Sequence, residues 1–464
     1  MKINLFIFHR DLRIFENNAL ERAINDDLPL CPCFFFDRAQ LENNRFFSSR
    51  AFSFMIESLK DLDRDLAQHG GRLHLFYGSP GEILAQILSS GLVNTVYSGF
   101  DYTPFAKNRD ATLTEICKTH GLEHQQFHNL LIKHPNAVLK KDGTPYTVFT
   151  PYFKKWLLTP IELPLQASHR QFSKICLPGE LTWEQIENLD PVRINFKSYN
   201  SGGRKAGLSL LSRLQSISSD YENLRNIPAL NATSGLSPHL KAGTVSPVEA
   251  YQILLSCPGG ASLIRELAWR DFFSSIAYHF PRVFSGAFRE EYNLIEWPDS
   301  DDLFSAWCEG KTGFPLIDAA MRQLNDTGWM HGRLRMVAAS FLVKDLHVDW
   351  HRGEQYFASK LVDYDPAVNN GNWQWCASTG CDAQPWFRIF NPLLQQKKYD
   401  PDCRFIKKFV PELKRVDCAT IHSYETKRIC ADYPAPIVSH SQASAKIKQI
   451  YKSLKYSNSS MLEL

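Results

Sequence analysis

LHLFYGSPGEILAQILSSGLVNTVYSG, residues 73–99, decides the fold class of the first third of the chain. Leu73–Tyr77 and Thr95–Gly99 are short apolar runs of strand character, and the amphipathic stretch Pro80–Leu88 between them has helical spacing. The turn Gly78-Ser79-Pro80-Gly81 reads as an ordinary helix start, because proline suits the first helical position. The alternation continues outward in both directions. Ile3–Phe8, Leu30–Phe36 and Glu123–Phe127 are further candidate strands, and Ser49–Ala67 and Ala106–Thr119 are further amphipathic stretches. Strands alternating with helices predict a parallel, doubly wound α/β sheet. Such sheets often bind a nucleotide at their carboxyl edge, but no GxGxxG follows the first strand here.

Strand character fades after Leu130. The stretch to about Asn200 carries many prolines and mixed charge, and reads as a long connector lying on the surface. After Gly202 nearly every pattern is helical, as in Ala261–Phe280, Pro315–Leu324 and Trp329–Leu346. The expected division is therefore an α/β domain at 1–130, a connector at 131–200 and an all-α domain at 201–464. A chain of 464 residues exceeds the size at which one core keeps growing, which agrees with more than one domain. Only a short tail is expected after Ile437.

With 44% hydrophobic and 22% charged residues the composition is that of a globular protein. A net charge of +3 is too mild to diagnose nucleic-acid binding, so any basic patch must be local. Eleven cysteines without a repeated Cys-x-x-Cys or a nearby Cys/His set read as reduced thiols and not as a zinc site. The start MKINLFIFHRDLRIF meets charge too early for a secretory signal, and no apolar run reaches the ~20 residues that cross a bilayer. A cytoplasmic, monomeric protein is the expectation.

The chemistry concentrates in the second half. Asp363–Pro392, DYDPAVNNGNWQWCASTGCDAQPWFRIFNP, puts three tryptophans, several amides and an arginine among aromatics into thirty residues. Such a segment offers flat faces, hydrogen-bonding amides and a glycine where something large approaches the backbone. Trp373 and Trp375 are two apart, about 200° around a helix, so they face different neighbours. In Arg265-Glu266-Leu-Ala-Trp269-Arg270, Glu266 and Trp269 share a helix face and can grip a flat polar ring, the indole stacking and the carboxyl group bonding its edge. Equally, Trp269 can be core and Glu266 can pair with Arg270. Gly332 and Met336 lie one turn apart, with Arg333 beside them, and Arg335 points elsewhere, toward a carboxylate for which Asp363 is the candidate. Met336 is either a plain core methionine or an adaptable wall for a ligand. Thr233-Ser234-Gly235-Leu236-Ser237-Pro238 enters a helix in the manner of an anion site or of a simple cap. Lys397 and Lys398 can hold phosphate or sit in solvent.

These segments resemble the DNA photolyase and cryptochrome family, and most closely its class I cyclobutane pyrimidine dimer photolyases. The resemblance is carried by NNGNWQW at 369–375, TSGLSPHLKAGTVSP at 233–247, RELAWRDF at 265–272, HRDLR at 9–13 and DYTPFAKNRD at 101–110. It implies a Rossmann-like antenna domain, then a helical domain that binds FAD and DNA. Blue-light-excited reduced FAD would pass an electron to a flipped-out dimer in ultraviolet-damaged DNA and split it. By resemblance Tyr221, Thr233, Ser234, Gly235, Leu236, Ser237, Arg335, Asp363, Tyr364, Asp365 and Asn369 hold FAD, and Asn369 faces its reactive nitrogen. Glu266, Trp269, Met336 and Trp375 meet the lesion, while Arg225, Arg270, Gly332, Arg333, Arg388 and Gln395 meet DNA or substrate. Trp373, Trp350 and Trp297 form the chain that carries an electron from the surface to the flavin. Relatives usually carry Asn where this chain has Gly332. Relatives that repair (6–4) lesions carry histidines in place of Gly332 and Met336, and cryptochromes tend to add a long tail and lose the tryptophan pair. A second antenna chromophore, a folate or a deazaflavin, is usual in the first domain; its identity and presence stay open.

Overall fold

Ile3–Phe8 (β1) and Leu30–Asp37 (β2) are buried along almost their whole length, as strands covered on both faces of a parallel sheet must be. A computed structural model of the chain describes residues 2–162, 171–189, 201–425 and 428–461. With His74–Gly78 (β3), Val93–Gly99 (β4) and Glu123–Phe127 (β5), these strands form a five-stranded sheet in the order β3-β2-β1-β4-β5. Every pairing is parallel. Pro32 lies in β2, where it cannot donate to a ladder. Pairing of β2 with β3 begins only at Cys33↔His74, so Pro32 sits where just one neighbour strand is registered.

The helices Ser49–Gln68 (α1), Pro80–Leu88 (α2) and Pro104–Thr119 (α3) occupy the three stretches read as amphipathic. Ile83, Leu84, Ile87 and Leu88 of α2 and Leu113 and Cys117 of α3 pack on Leu5, Ile7, Cys31, Cys33 and Val96 of the sheet. Both the expected α/β sheet and the helical second half are present: among the described residues no strand follows β5.

By backbone contacts the chain divides into two units, Met1–Ser219 with Ser234–His279, and Asp220–Thr233 with Phe280–Leu464. The compact units do not follow the expected division at 1–130, 131–200 and 201–464, which was drawn from local pattern. Of the connector, residues 163–170 and 190–200 lie outside the described residues. Its described part contains the helix Phe149–Leu158 (α4), whose Phe149, Tyr152 and Trp156 are buried. In the same unit follow Ser237–Ala242 (α5), Pro247–Leu255 (α6) and Gly260–His279 (α7).

The second unit is built on Pro315–Thr327 (α8), Gly332–Lys344 (α9), Trp350–Lys360 (α10), Pro366–Ala377 (α11) and Pro392–Tyr399 (α12). One cluster joins them through Leu316, Met321, Leu334, Phe341, Trp350, Phe357 and Trp373. The expectation of a mere tail after Ile437 is corrected: His440–Met461 is a helix (α13). Its Ile447 and Tyr451, four apart and fully buried, join Tyr292 and Ile295 in a separate small cluster. That spacing was present in the sequence, diluted by four serines and lysines between His440 and Lys452.

Candidate active site

In the second unit, the start of α9 is set by His331, whose Nδ1 accepts from the Arg333 backbone N–H at 3.2 Å. Burial, and then the positive charges of Arg335 and Arg333, push the His331 imidazole down to about 4, so it stays neutral and keeps that lone pair. One turn on, Arg335 forms the expected pair with Asp363 as a two-pronged contact, Nη1 to Oδ1 at 3.1 Å and Nη2 to Oδ2 at 2.8 Å. Its Nε donates to the Met330 carbonyl at 2.8 Å, which fixes the plane of the guanidinium. Arg333 leans the other way: Nε and Nη2 both donate to Asn226 Oδ1, and the group lies over Tyr399 at 4.9 Å. Gly332 is exposed, and a Cβ built there would meet nothing within 4 Å. Met336 is half-buried at the margin of the core.

Helix α11 begins at Pro366 with Asp365 as its cap, Oδ1 accepting from Ala367 and Val368 N–H. The Asp365 carboxylate is therefore engaged in starting the helix. Asn370 and Gln374 point inward and both donate to the Val283 carbonyl at 3.0 Å, while Gln374 Oε1 accepts from Phe288 N–H. Asn369 donates to the Glu354 carbonyl at 3.2 Å. That leaves its amide oxygen and second N–H for a ligand, a donor and an acceptor together. A flavin ring edge presents the complementary alternation, so these residues fit the cofactor. Trp373 is 2% exposed, with Phe357 edge-on at 4.9 Å and Trp307 at 6.2 Å, whereas Trp375 remains partly exposed. The two faces of α11 thus differ as their angular separation requires. Gly353 makes room for Trp373: an added Cβ would stand 2.2 Å from the indole.

Trp350 is also 2% exposed and stacks on His351 at 3.7 Å; Trp297 is half-buried at the edge of the same cluster. Trp373 and Trp350 thus lie inside one apolar body and Trp297 at its margin. Trp307, fully buried against Trp373, was missed by sequence reading, since a tryptophan in an amphipathic helix reads as core. Arg388, Lys397 and Lys398 are exposed, beside exposed Phe387 and Leu394, which sequence reading also passed over. Gln395 is half-buried with a buried Oε1 that has no partner. Arg225 lies over the Tyr221 ring at 5.8 Å. Tyr364 is half-buried beside Asp363.

In the first unit, Glu266 is exposed on α7 and Trp269 is half-buried one turn along. Arg270, expected at DNA, is directed inward. Its guanidinium donates to the Leu130 carbonyl at 2.9 Å and the Leu240 carbonyl at 3.3 Å, with its side chain only 11% exposed. Two buried carbonyls needed a donor, and Arg270 supplies it. Ser234 Oγ accepts from Leu236 N–H, and Gly235 holds the left-handed φ of +66° that turns the segment into α5. No side chain caps the first turn of α5. Gly243 ends α5, and Ser246 caps α6, so the remaining family-like positions have local structural reasons.

A cavity of about 610 Å³ opens in the first unit at the carboxyl ends of β2 and β3. Asp37, Arg38, Ser79, Phe105, Asn108 and Arg109 are among its walls, and the Gly78–Gly81 turn that starts α2 borders it. Among the described residues there is no group of three or more His, Cys, Asp or Glu that could hold a metal ion.

Comparison with known proteins agrees with this anatomy. The family described as DNA photolyase matches residues 4–169, and the FAD binding domain of DNA photolyase matches residues 263–453. A deoxyribodipyrimidine photo-lyase of Vibrio cholerae is 36% identical over 98% of this chain and 100% of its own. One from Synechococcus is 35% identical over 97% and 96%. The crystal structure of an archaeal photolyase from Sulfolobus tokodaii with two FAD molecules is 40% identical, covers 98% of this chain and 100% of its own, and has a TM-score of 0.89. Agreement along nearly the entire length places the conclusion beyond a shared fold: this chain belongs to the DNA photolyase family.

Proposed function

We propose that this chain, a light-driven DNA repair enzyme that binds FAD, has the cyclobutane pyrimidine dimer as its lesion. The observation that carries the choice is the surface of α9. Gly332 leaves open space and Met336 offers a thioether, so neither position can deliver the proton that (6–4) repair asks of histidines. His331, next to them, is buried, neutral and engaged through Nδ1 in starting the helix. A signalling role is disfavoured because Trp269, Trp375 and Glu266 are all retained.

Bound and reduced, FAD would supply the electron that blue light releases. The chain's own residues bind, orient and shield. In this reading Tyr221, Thr233–Ser237, Arg335, Asp363, Tyr364 and Asn369 hold the cofactor. The Arg335–Asp363 pair keeps a positive guanidinium at a fixed place, and Asn369 turns its free amide atoms to the ring. Asp365 acts through the start of α11. Glu266 bonds the carbonyl edge of the flipped dimer, Trp269 and Trp375 stack on it, and Met336 closes the wall. A dimer pairs poorly, so flipping it out costs only a few kcal/mol. Arg225, Arg333 and Arg388 meet phosphates, which makes binding sensitive to salt, and Gln395 meets the substrate through the exposed part of its side chain. Trp373, Trp350 and Trp297 relay electrons from the margin of the core, a reading supported by their membership of one apolar cluster, with Trp297 at its partly exposed edge.

The second chromophore, if carried, fits the 610 Å³ cavity at the carboxyl edge of the sheet. Among the described residues no helix is long and apolar enough to cross a membrane, which suits a cytoplasmic enzyme working as a monomer on DNA. Blue-light repair assays on oligonucleotides carrying one lesion type each test the assignment. Dimer splitting without (6–4) repair is the expected result, and (6–4) repair alone would overturn it.

A further inference from the structure

Trp269 is covered on one face by a residue that no motif announces. Phe149, the first residue of α4, lies flat against the indole with ring centroids 3.6 Å apart and planes 5° from parallel. Phe149 is 1% exposed, while Trp269 keeps part of its surface open. Behind Phe149 the stack continues to Phe153 at 5.5 Å and 11°. Phe272 stands edge-on to both Phe149 and Trp269, at 5.7 and 5.6 Å, and Phe273 closes the side of Trp269 at 5.4 Å. The Arg265 guanidinium lies over Phe149 and Phe153 at 5.3 and 5.7 Å.

The arrangement is anchored at a second point. Trp156, seven residues along α4, donates Nε1–H to Asp271 Oδ2 at 3.0 Å. Asp271 also accepts from Ile132 and Lys133 N–H and is fully buried. A polar contact and a set of ring contacts therefore hold α4 to α7, and both the distance and the tilt of Phe149 against Trp269 are set by helix packing. An indole on a helix surface otherwise retains freedom about its χ angles. A flat substrate ring stacks well only on a face held at fixed tilt, since aromatic attraction falls steeply with misalignment.

We infer that Phe149 is a positioning residue for lesion recognition: it backs one face of Trp269 so that the opposite face alone receives the flipped dimer. The inference rests on the reading of Trp269 as a lesion-stacking residue. Phe149 touches no substrate and acts only through the indole. The position of the Arg265 guanidinium over the rings adds a cation–π contact that steadies the outer end of the stack.

The test uses the FAD-loaded full chain, in the dark, with one oligonucleotide carrying a single cyclobutane thymine dimer and the same oligonucleotide undamaged. Phe149→Leu keeps most of the volume and removes the flat face. Affinity for the dimer should fall about 2- to 12-fold, the equivalent of one aromatic pairing, while affinity for undamaged DNA stays constant. Phe153→Leu alters the same cluster without touching Trp269 and should leave the ratio of the two affinities unchanged. A merely structural role for Phe149 would move both affinities together, or move the ratio equally for Phe153→Leu, and either result overturns the inference. Should Phe149→Leu fold poorly, Phe149→Met, which fills the same space with a more adaptable chain, is read in the same way. Trp269→Leu separates the two layers of the argument. If it lowers dimer affinity while Phe149→Leu does not, the backing role fails and the stacking role stands; if it has no effect, the reading of Trp269 fails first.

Discussion

Replacing Gly353 by alanine adds one methyl group to α10 at the tightest point around Trp373. The new Cβ would lie 2.2 Å from Trp373 Cη2 and 2.5 Å from both Trp373 Cζ3 and Leu342 Cδ2. Carbon atoms settle at about 3.5–4.0 Å, so the indole or the helix must move by roughly 1.3 Å or more. Neither yields easily. The ring is 2% exposed and wedged by Phe357 and Trp307, and Gly353 is itself buried within α10. Overpacking of a dense core costs about 1–3 kcal/mol. The gain in helix propensity from glycine to alanine, about 1 kcal/mol, offsets only part of that. Thermal unfolding of the FAD-loaded protein should therefore move down by a few degrees, given about 2–4 °C per kcal/mol for a unit of this size. The displaced indole should also slow photoreduction of oxidised FAD, followed by absorption under blue light with an external reductant. If Gly353→Ala leaves both the midpoint and the photoreduction rate unchanged, the close packing of Trp373 and its place in the electron relay are both wrong.

Glu266→Ala should lower the yield of dimer splitting by enzyme already reduced while FAD stays bound, read by repair quantum yield and flavin absorbance; unchanged yield removes Glu266 from the lesion. Trp297→Phe should slow photoreduction of oxidised FAD about as strongly as loss of a terminal donor implies and spare repair by reduced enzyme, so equal photoreduction rates count against its role. Gly332→Asn should fold normally, because its Cβ meets open space, and should keep or raise dimer affinity; a tenfold loss would show that something approaches the helix too closely for a side chain. Burial raises the Asp271 carboxyl from its ordinary 3.8 to about 6. The folded protein therefore holds this proton more tightly than the unfolded chain, and the contribution present below pH ~4 is lost as pH rises to ~6. Asp271→Asn should remove that fall, measured as the pH dependence of the unfolding midpoint; an unaltered slope would place the proton elsewhere.

Much of the candidate site was legible before any fold was known. Asn369, Trp373 and Trp375 sit in a segment whose aromatic and amide composition is unlike an ordinary aliphatic core helix, and Asp363 was the candidate named for the partner of Arg335. Other features were not. Arg270 sits in a motif that suggests DNA contact, yet it donates to the carbonyls of Leu130 and Leu240, which are 140 and 30 residues away in sequence. No local pattern records which carbonyls will lack donors once the chain is folded. Helix α13 escaped notice because its two strongest apolar positions, Ile447 and Tyr451, are scattered among polar residues that suit a solvated face.

The alternation of strands and helices in the first third of the chain was determined by the sequence alone, because short apolar runs and the 3.6-residue spacing of an amphipathic helix are local properties. The same periodicity separated Trp373 from Trp375 by angle. Tertiary structure decided which of them is enclosed, placing Trp373 against Gly353, Phe357 and Trp307. It also brought Phe149 flat against Trp269 across 120 residues of chain. Such contacts depend on how separate helices pack, and packing is fixed by volume and hydrogen-bond satisfaction over the whole core, which no short stretch of sequence contains.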